Sequence, residues 1–112
     1  MEPALSDRVT DIITATLREH PSCLQIVLFL LQNETAMDTP RGIATWWVRC
    51  DEVIVQAALD CLVTCGAVAT YRLGSGNLYG LTRNQEIRAW LRATYGGVTK
   101  RHRRGGGDGK RS

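Results

Sequence analysis

Thr39-Pro40-Arg41-Gly42-Ile43-Ala44-Thr45-Trp46-Trp47-Val48-Arg49-Cys50-Asp51, with its continuation to Arg83, decides the fold of this chain. Thr39 is a good helix N-cap, and Pro40 follows at the first helical position, where a missing N–H costs nothing. The spacing predicts a short helix over 42–48. Ile43, Ala44 and Trp47 share its inner face, and Trp46 lies about 100° round, partly exposed. Asp51 caps a longer helix, which ends at Gly66 where a left-handed residue is wanted. Val55, Ala58, Leu59 and Leu62 make its buried stripe, with Val63 beside them. Two β-forming runs, Val68 to Leu73 and Asn77 to Thr82, flank Gly74-Ser75-Gly76, which is a hairpin signal. The reading is a mainly α chain with a small β-hairpin.

Working outward, 6–20 read as an amphipathic helix capped by Ser6 and stopped by Pro21, with Val9, Ile12, Ile13, Thr16 and Leu17 in one stripe. A second helix over 22–32 is apolar round most of its circumference and is expected to be nearly enclosed, or to turn one face to a second subunit. Residues 33–38 read as a polar connector. Beyond the hairpin, Asn84 caps a last helix that carries Ile87, Trp90 and Leu91 and is expected to end near Tyr95 at Gly96-Gly97. Residues 1–98 then form one domain, and 99–112 a disordered basic tail.

The chain has 112 residues, 44% of them apolar, enough for one modest core. No apolar run approaches a membrane span, and the first residues lack the layout of a signal peptide, so a cytoplasmic protein with four reduced cysteines is expected. The net charge of +3 is unevenly spread. Residues 100–112 hold six Lys/Arg against one Asp, whereas 1–99 hold eight Arg against ten acids. Cations facing phosphates supply much of the affinity for nucleic acid, so the basicity of this chain sits at one end.

Ile43-Ala44, then Ala58-Leu59-x-x-Leu62-x-x-x-Gly66-Ala67-Val68, then Leu78-Tyr79-Gly80-Leu81-Thr82 resembles bacterial winged helix-turn-helix regulators of the MarR and ArsR type, over roughly residues 22–95. The resemblance implies a winged helix-turn-helix flanked by N- and C-terminal helices, acting in transcription regulation. It also implies that the longer helix enters the major groove of double-stranded DNA while the wing reaches a neighbouring groove. The reading face would then be Glu52, Ile54, Gln56, Ala57, Asp60, Cys61 and Thr64. Thr39, Arg41, Thr45 and Arg49 would meet phosphates, and Arg72, Ser75 and Asn77 would serve the wing. Lys100, Arg101, Arg103 and Arg104 of the tail would add phosphate affinity. A homodimer, with helices 6–20 and 84–95 as its contact elements, would double the cations.

The chain departs from that pattern on its reading face, where 51–66 contain three acids and no Lys or Arg. The bidentate arginine–guanine contact cannot come from this helix, although Gln56 can read an adenine edge. The alternative reading is a winged-helix module that binds protein through Trp46, Ile54, Ala57 and Asp60. Cys61 and Cys65 stand i, i+4 on one helix with Cys50 just before it, but strong zinc spacings are absent. Packed or inert thiols are the first reading, with metal or redox sensing by Cys50, Cys61 and Cys65 as the alternative, and no metal site or cofactor is assigned. With only His20 and His102 as histidines, no acid–base pair points to an enzyme.

Overall fold

The computed structural model describes residues 6–74 and 76–108, by backbone alone at 73 and over 97–108. The elements run α1 (Asp7–Glu19), α2 (Pro21–Gln32), β1 (Met37–Asp38), α3 (Pro40–Gly42), a π-helical turn (Ile43–Trp47), α4 (Glu52–Cys65), β2 (Val68–Leu73), β3 (Gly76–Leu81) and α5 (Gln85–Asp108). Three of the four expected N-caps act as their residue types require, whereas the Asp51 side chain makes no capping hydrogen bond at the start of α4. The Ser6 side chain accepts from Val9 N at 3.3 Å, and Thr39 Oγ1 accepts from Gly42 N at 3.1 Å. Asn84 Oδ1 accepts from both Glu86 N and Ile87 N. Gly66 takes φ 94° at the end of α4.

One core joins α1, α2, the π-helical turn, α4 and α5 to the hairpin. Ile13, Ile26, Val27, Leu30, Ile43, Val55, Leu59, Leu62 and Leu91 are all buried at its centre. The sheet order is β1-β3-β2, antiparallel throughout, with Tyr71 opposite Leu78 and Arg72 opposite Asn77 on the wing. Tyr71 donates its hydroxyl hydrogen to Leu81 O at 2.9 Å, and the Arg83 guanidinium sits 4.4 Å from the Tyr71 ring centre.

Four expectations are corrected. The connector 33–38 contains a strand, because Met37 and Asp38 pair with Gly80 and Tyr79. The short helix widens after Gly42, with Val48 N donating to Ile43 O, so Trp47 stacks on Phe29 at 4.4 Å and is half-buried instead of core. Helix α2 is not enclosed, since Leu24, Leu28, Phe29 and Leu31 stay half-buried: the domain has too few elements to cover it. Helix α5 keeps helical backbone through Gly96-Gly97 to Asp108. Glycine weakens a helix but ends it only where the chain turns left-handed, and the left-handed glycines among the described residues are Gly66 and Gly74.

Polar contacts tie the connector that follows α2 to α5. Glu34 receives two hydrogen bonds from Arg92, at 2.8 and 3.0 Å, and its backbone carbonyl accepts from Arg88 at 2.9 Å. The Arg92 hydrogen bonds hold the Glu34 carboxyl below its ordinary pKa.

Candidate nucleic-acid interface

Helix α4 buries one side and leaves a largely apolar side exposed. Val55, Ala58, Leu59 and Leu62 face the core. Val53, Ala57, Asp60 and Thr64, at i, i+4, i+7 and i+11, form an exposed stripe with the half-buried Gln56 beside it. Val53 is 80% exposed and Ile54 46% exposed. Sequence reasoning missed Val53, although its spacing from Gln56, Ala57 and Asp60 is the signal that could have found it. Val63, expected beside the buried stripe, is exposed because the stripe needs only one side of the helix.

The acid on this face is not idle. Gln56 Nε2 donates to Asp60 Oδ1 at 3.1 Å, one helical turn apart. Thr64 Oγ1 donates to the Asp60 carbonyl at 2.8 Å.

Three exposed cations lie on the elements that precede and follow this helix. Arg41 is exposed in the first turn of α3, and Thr45 is exposed on the π-helical turn. Arg49 is exposed in the turn between the two helices, with φ 53°. A non-glycine residue there is strained by about 1 kcal/mol, in a turn that Cys50 N closes by donating to Ala44 O at 3.1 Å. Arg72 and Asn77 are both exposed as register partners near the wing tip. Thr39 already uses its hydroxyl oxygen as the α3 cap. Among the described residues the salt bridges are those of Glu34 with Arg88 and Arg92, which leaves Arg41, Arg49 and Arg72 outside them. Ser75 lies outside the described residues. Lys100, Arg101, Arg103 and Arg104 are on the helical backbone of α5, and their side chains lie outside the described residues.

The residues expected to meet a protein partner are brought together only in part. Ile54 and Ala57 line a groove of ≈ 320 Å³ with His20, Pro21, Val53 and Cys61, where α4 passes the α1–α2 junction. Asp60 and Cys61 line a second groove of ≈ 270 Å³ against Ile12 and Thr16 of α1. Trp46 is 73% exposed and lines neither.

Two of the cysteines are core atoms. Cys23 Sγ donates to Ala58 O and Cys65 Sγ to Leu62 O, both at 3.4 Å. Burial, assisted by the neighbouring Cys61 and Cys65, pushes the Cys23 thiol up to about 12, and burial raises Cys65 as well. Both therefore behave as packed thiols at neutral pH. Cys50 and Cys61 are half-buried. Among the described residues no three His, Cys, Asp or Glu side chains converge as a metal cage would require. No described helix is long and apolar enough to cross a membrane.

No protein-family model matches the chain, and no curated protein matches it. Among solved structures it is similar to the homodimeric winged helix-turn-helix DNA-binding domain, fragment 1–100, of a Mycobacterium bovis protein described as a possible ArsR-family transcriptional regulator. The two share 21% identity with a TM-score of 0.59, over 92% of this chain and 94% of that one. With α3, the following turn, α4 and the β2–β3 wing in this order, the chain has the winged helix-turn-helix fold, flanked by N- and C-terminal helices.

Proposed function

We propose that this protein binds duplex DNA as a homodimer and regulates transcription, with α4 in the major groove and β2–β3 as the wing. The observation that carries the reading is the exposed stripe of α4, with Arg41, Arg49 and Arg72 exposed on α3, on the turn before α4 and on the wing. That is the layout in which one helix meets bases and its surroundings meet phosphates. The Mycobacterium bovis domain of the same fold is homodimeric and DNA-binding, which supports extending both properties to this chain. The basic segment 100–112 supplies the phosphate affinity that the acidic body lacks.

Full-length protein is expected to retard genomic duplex fragments at low salt. Absence of any retardation there contradicts the reading. A second reading, docking of a protein segment on the groove formed by Ile54, Ala57 and Cys61, has its own observation in the exposed apolar side chains Val53 and Ile54. It predicts a partner whose capture is abolished by Ala57→Arg, and capture unchanged by that substitution removes it.

A further inference from the structure

We propose that α4 selects A·T base pairs, and that Asp60 is the residue that sets this choice by occupying one amide hydrogen of Gln56. The inference rests on the duplex-DNA reading above and names the sequence class that the same helix takes.

The hydrogen bond between Gln56 and Asp60 carries the selection. A free glutamine amide has one oxygen acceptor and two N–H donors, so it can meet adenine with an acceptor and a donor, or guanine with both hydrogens. Adenine shows N7 as acceptor and its N6 amino group as donor, whereas guanine shows two acceptors, N7 and O6. Ionised Asp60 can only accept, so the amide must turn Nε2 toward it, and the 3.1 Å hydrogen bond uses one hydrogen. What remains is one donor on Nε2 and the acceptor Oε1. That pair complements adenine, and against guanine it leaves Oε1 facing O6. Asp60 thus acts as a positioning residue for Gln56.

The rest of the stripe agrees. Val53 and Ala57 are exposed and apolar, one helical turn apart, with Gln56 next to Ala57. Apolar side chains in the major groove meet the one apolar feature there, the thymine methyl. No Arg or Lys occurs between 51 and 66 to read guanine. Glutamine for adenine, valine and alanine for thymine, and no guanine reader favour A·T pairs, and the G·C contact still open to this face is the exposed Glu52 on a cytosine amino group.

The test is selection of binding sites from a random duplex pool by the full-length protein, followed by anisotropy titrations on the selected duplex. The expected site is rich in A·T pairs. Replacing its key adenine with guanine is expected to weaken wild-type binding by roughly 5- to 150-fold. Replacing a contacted thymine with deoxyuridine should weaken it by about fourfold, the worth of one buried methyl. Asp60→Ala and Gln56→Ala should each collapse the adenine-over-guanine ratio, whereas Asp60→Asn, whose side-chain oxygen can still accept from Gln56 Nε2, should keep it. A merely structural role for Asp60 would weaken binding to the adenine and guanine duplexes alike and leave their ratio in place. A G·C-rich selected site, or an unchanged ratio in Asp60→Ala, overturns this inference and leaves DNA binding standing. No retention of any duplex overturns the proposed function, and this inference with it.

Discussion

At Gly66 the backbone takes φ 94°, and a Cβ placed there would meet only Ile87 Cδ1 at an ordinary 3.7 Å. The requirement for glycine is therefore conformational. Gly66→Ala is expected to lower stability by about 1–2 kcal/mol, read in a urea melt, with the fold retained. Arg49 poses the reverse case, an arginine in left-handed backbone. Asparagine tolerates that region better, so Arg49→Asn should stabilise the protein by up to about 1 kcal/mol while weakening duplex binding. A variant that gains nothing in thermal melts would show that Arg49 carries no such strain. These two positions also show what a sequence can disclose. A glycine closing an apolar helical stripe announces its own backbone, whereas an arginine does not announce the left-handed turn that Cys50 N closes on Ala44 O. Gln56 can be picked out as an adenine reader by type and position, but its hydrogen bond to Asp60 is a rotamer choice that spacing permits without requiring.

At the level of elements, helices α1 and α4 and the hairpin are legible because the apolar period agrees with a stop or turn signal in each, and α2 because its apolar run is bounded by Pro21 and a polar connector. Strand β1 is not, since two residues in a polar connector carry no period, and only the partner strand defines them. Gly80 makes the pairing sterically workable: a Cβ there would lie 2.9 Å from Ala36 O and 3.2 Å from Met37 Cβ. Gly80→Ala should cost about 1–3 kcal/mol and expose the β1 amides to hydrogen exchange. Unchanged protection at Met37 would count against this. The Glu34 tether to α5 behaves differently with pH. Its carboxyl pKa is lowered in the fold by Arg92, so its stabilisation is present above the unfolded value and lost as pH falls through the folded one. Glu34→Gln should melt at lower temperature than wild type at pH 7, and the gap should close below about pH 4. The extent of α5 is hidden from the sequence because a glycine pair stops a helix only when it turns left-handed, and composition does not say whether it does.

Across the whole molecule, fold and charge pull in different directions. The body carries eight Arg against ten acids, while 100–112 hold six Lys/Arg against one Asp. A single body offers Arg41, Arg49 and Arg72 to phosphates, and two bodies offer twice that. For the proposed dimer, the half-buried Leu24, Leu28 and Leu31 on α2 and Trp90 on α5 are the apolar surface on which a second copy would close. Light scattering should accordingly return twice the 12.4 kDa of the chain, and a monomer mass at the concentration of the binding assays would contradict the dimer.

Duplex binding by this fold and its basic end stands or falls on salt dependence, measured by fluorescence anisotropy for the full chain and for one ending at residue 99. A steep fall of log K with log salt is expected for the full chain. The shortened chain should bind more weakly at every sequence, with a slope shallower by about 0.9 for each phosphate it no longer neutralises. Equal slopes for the two proteins, or no binding by the full chain at low salt, would contradict a DNA-binding protein that draws its phosphate affinity from residues 100–112.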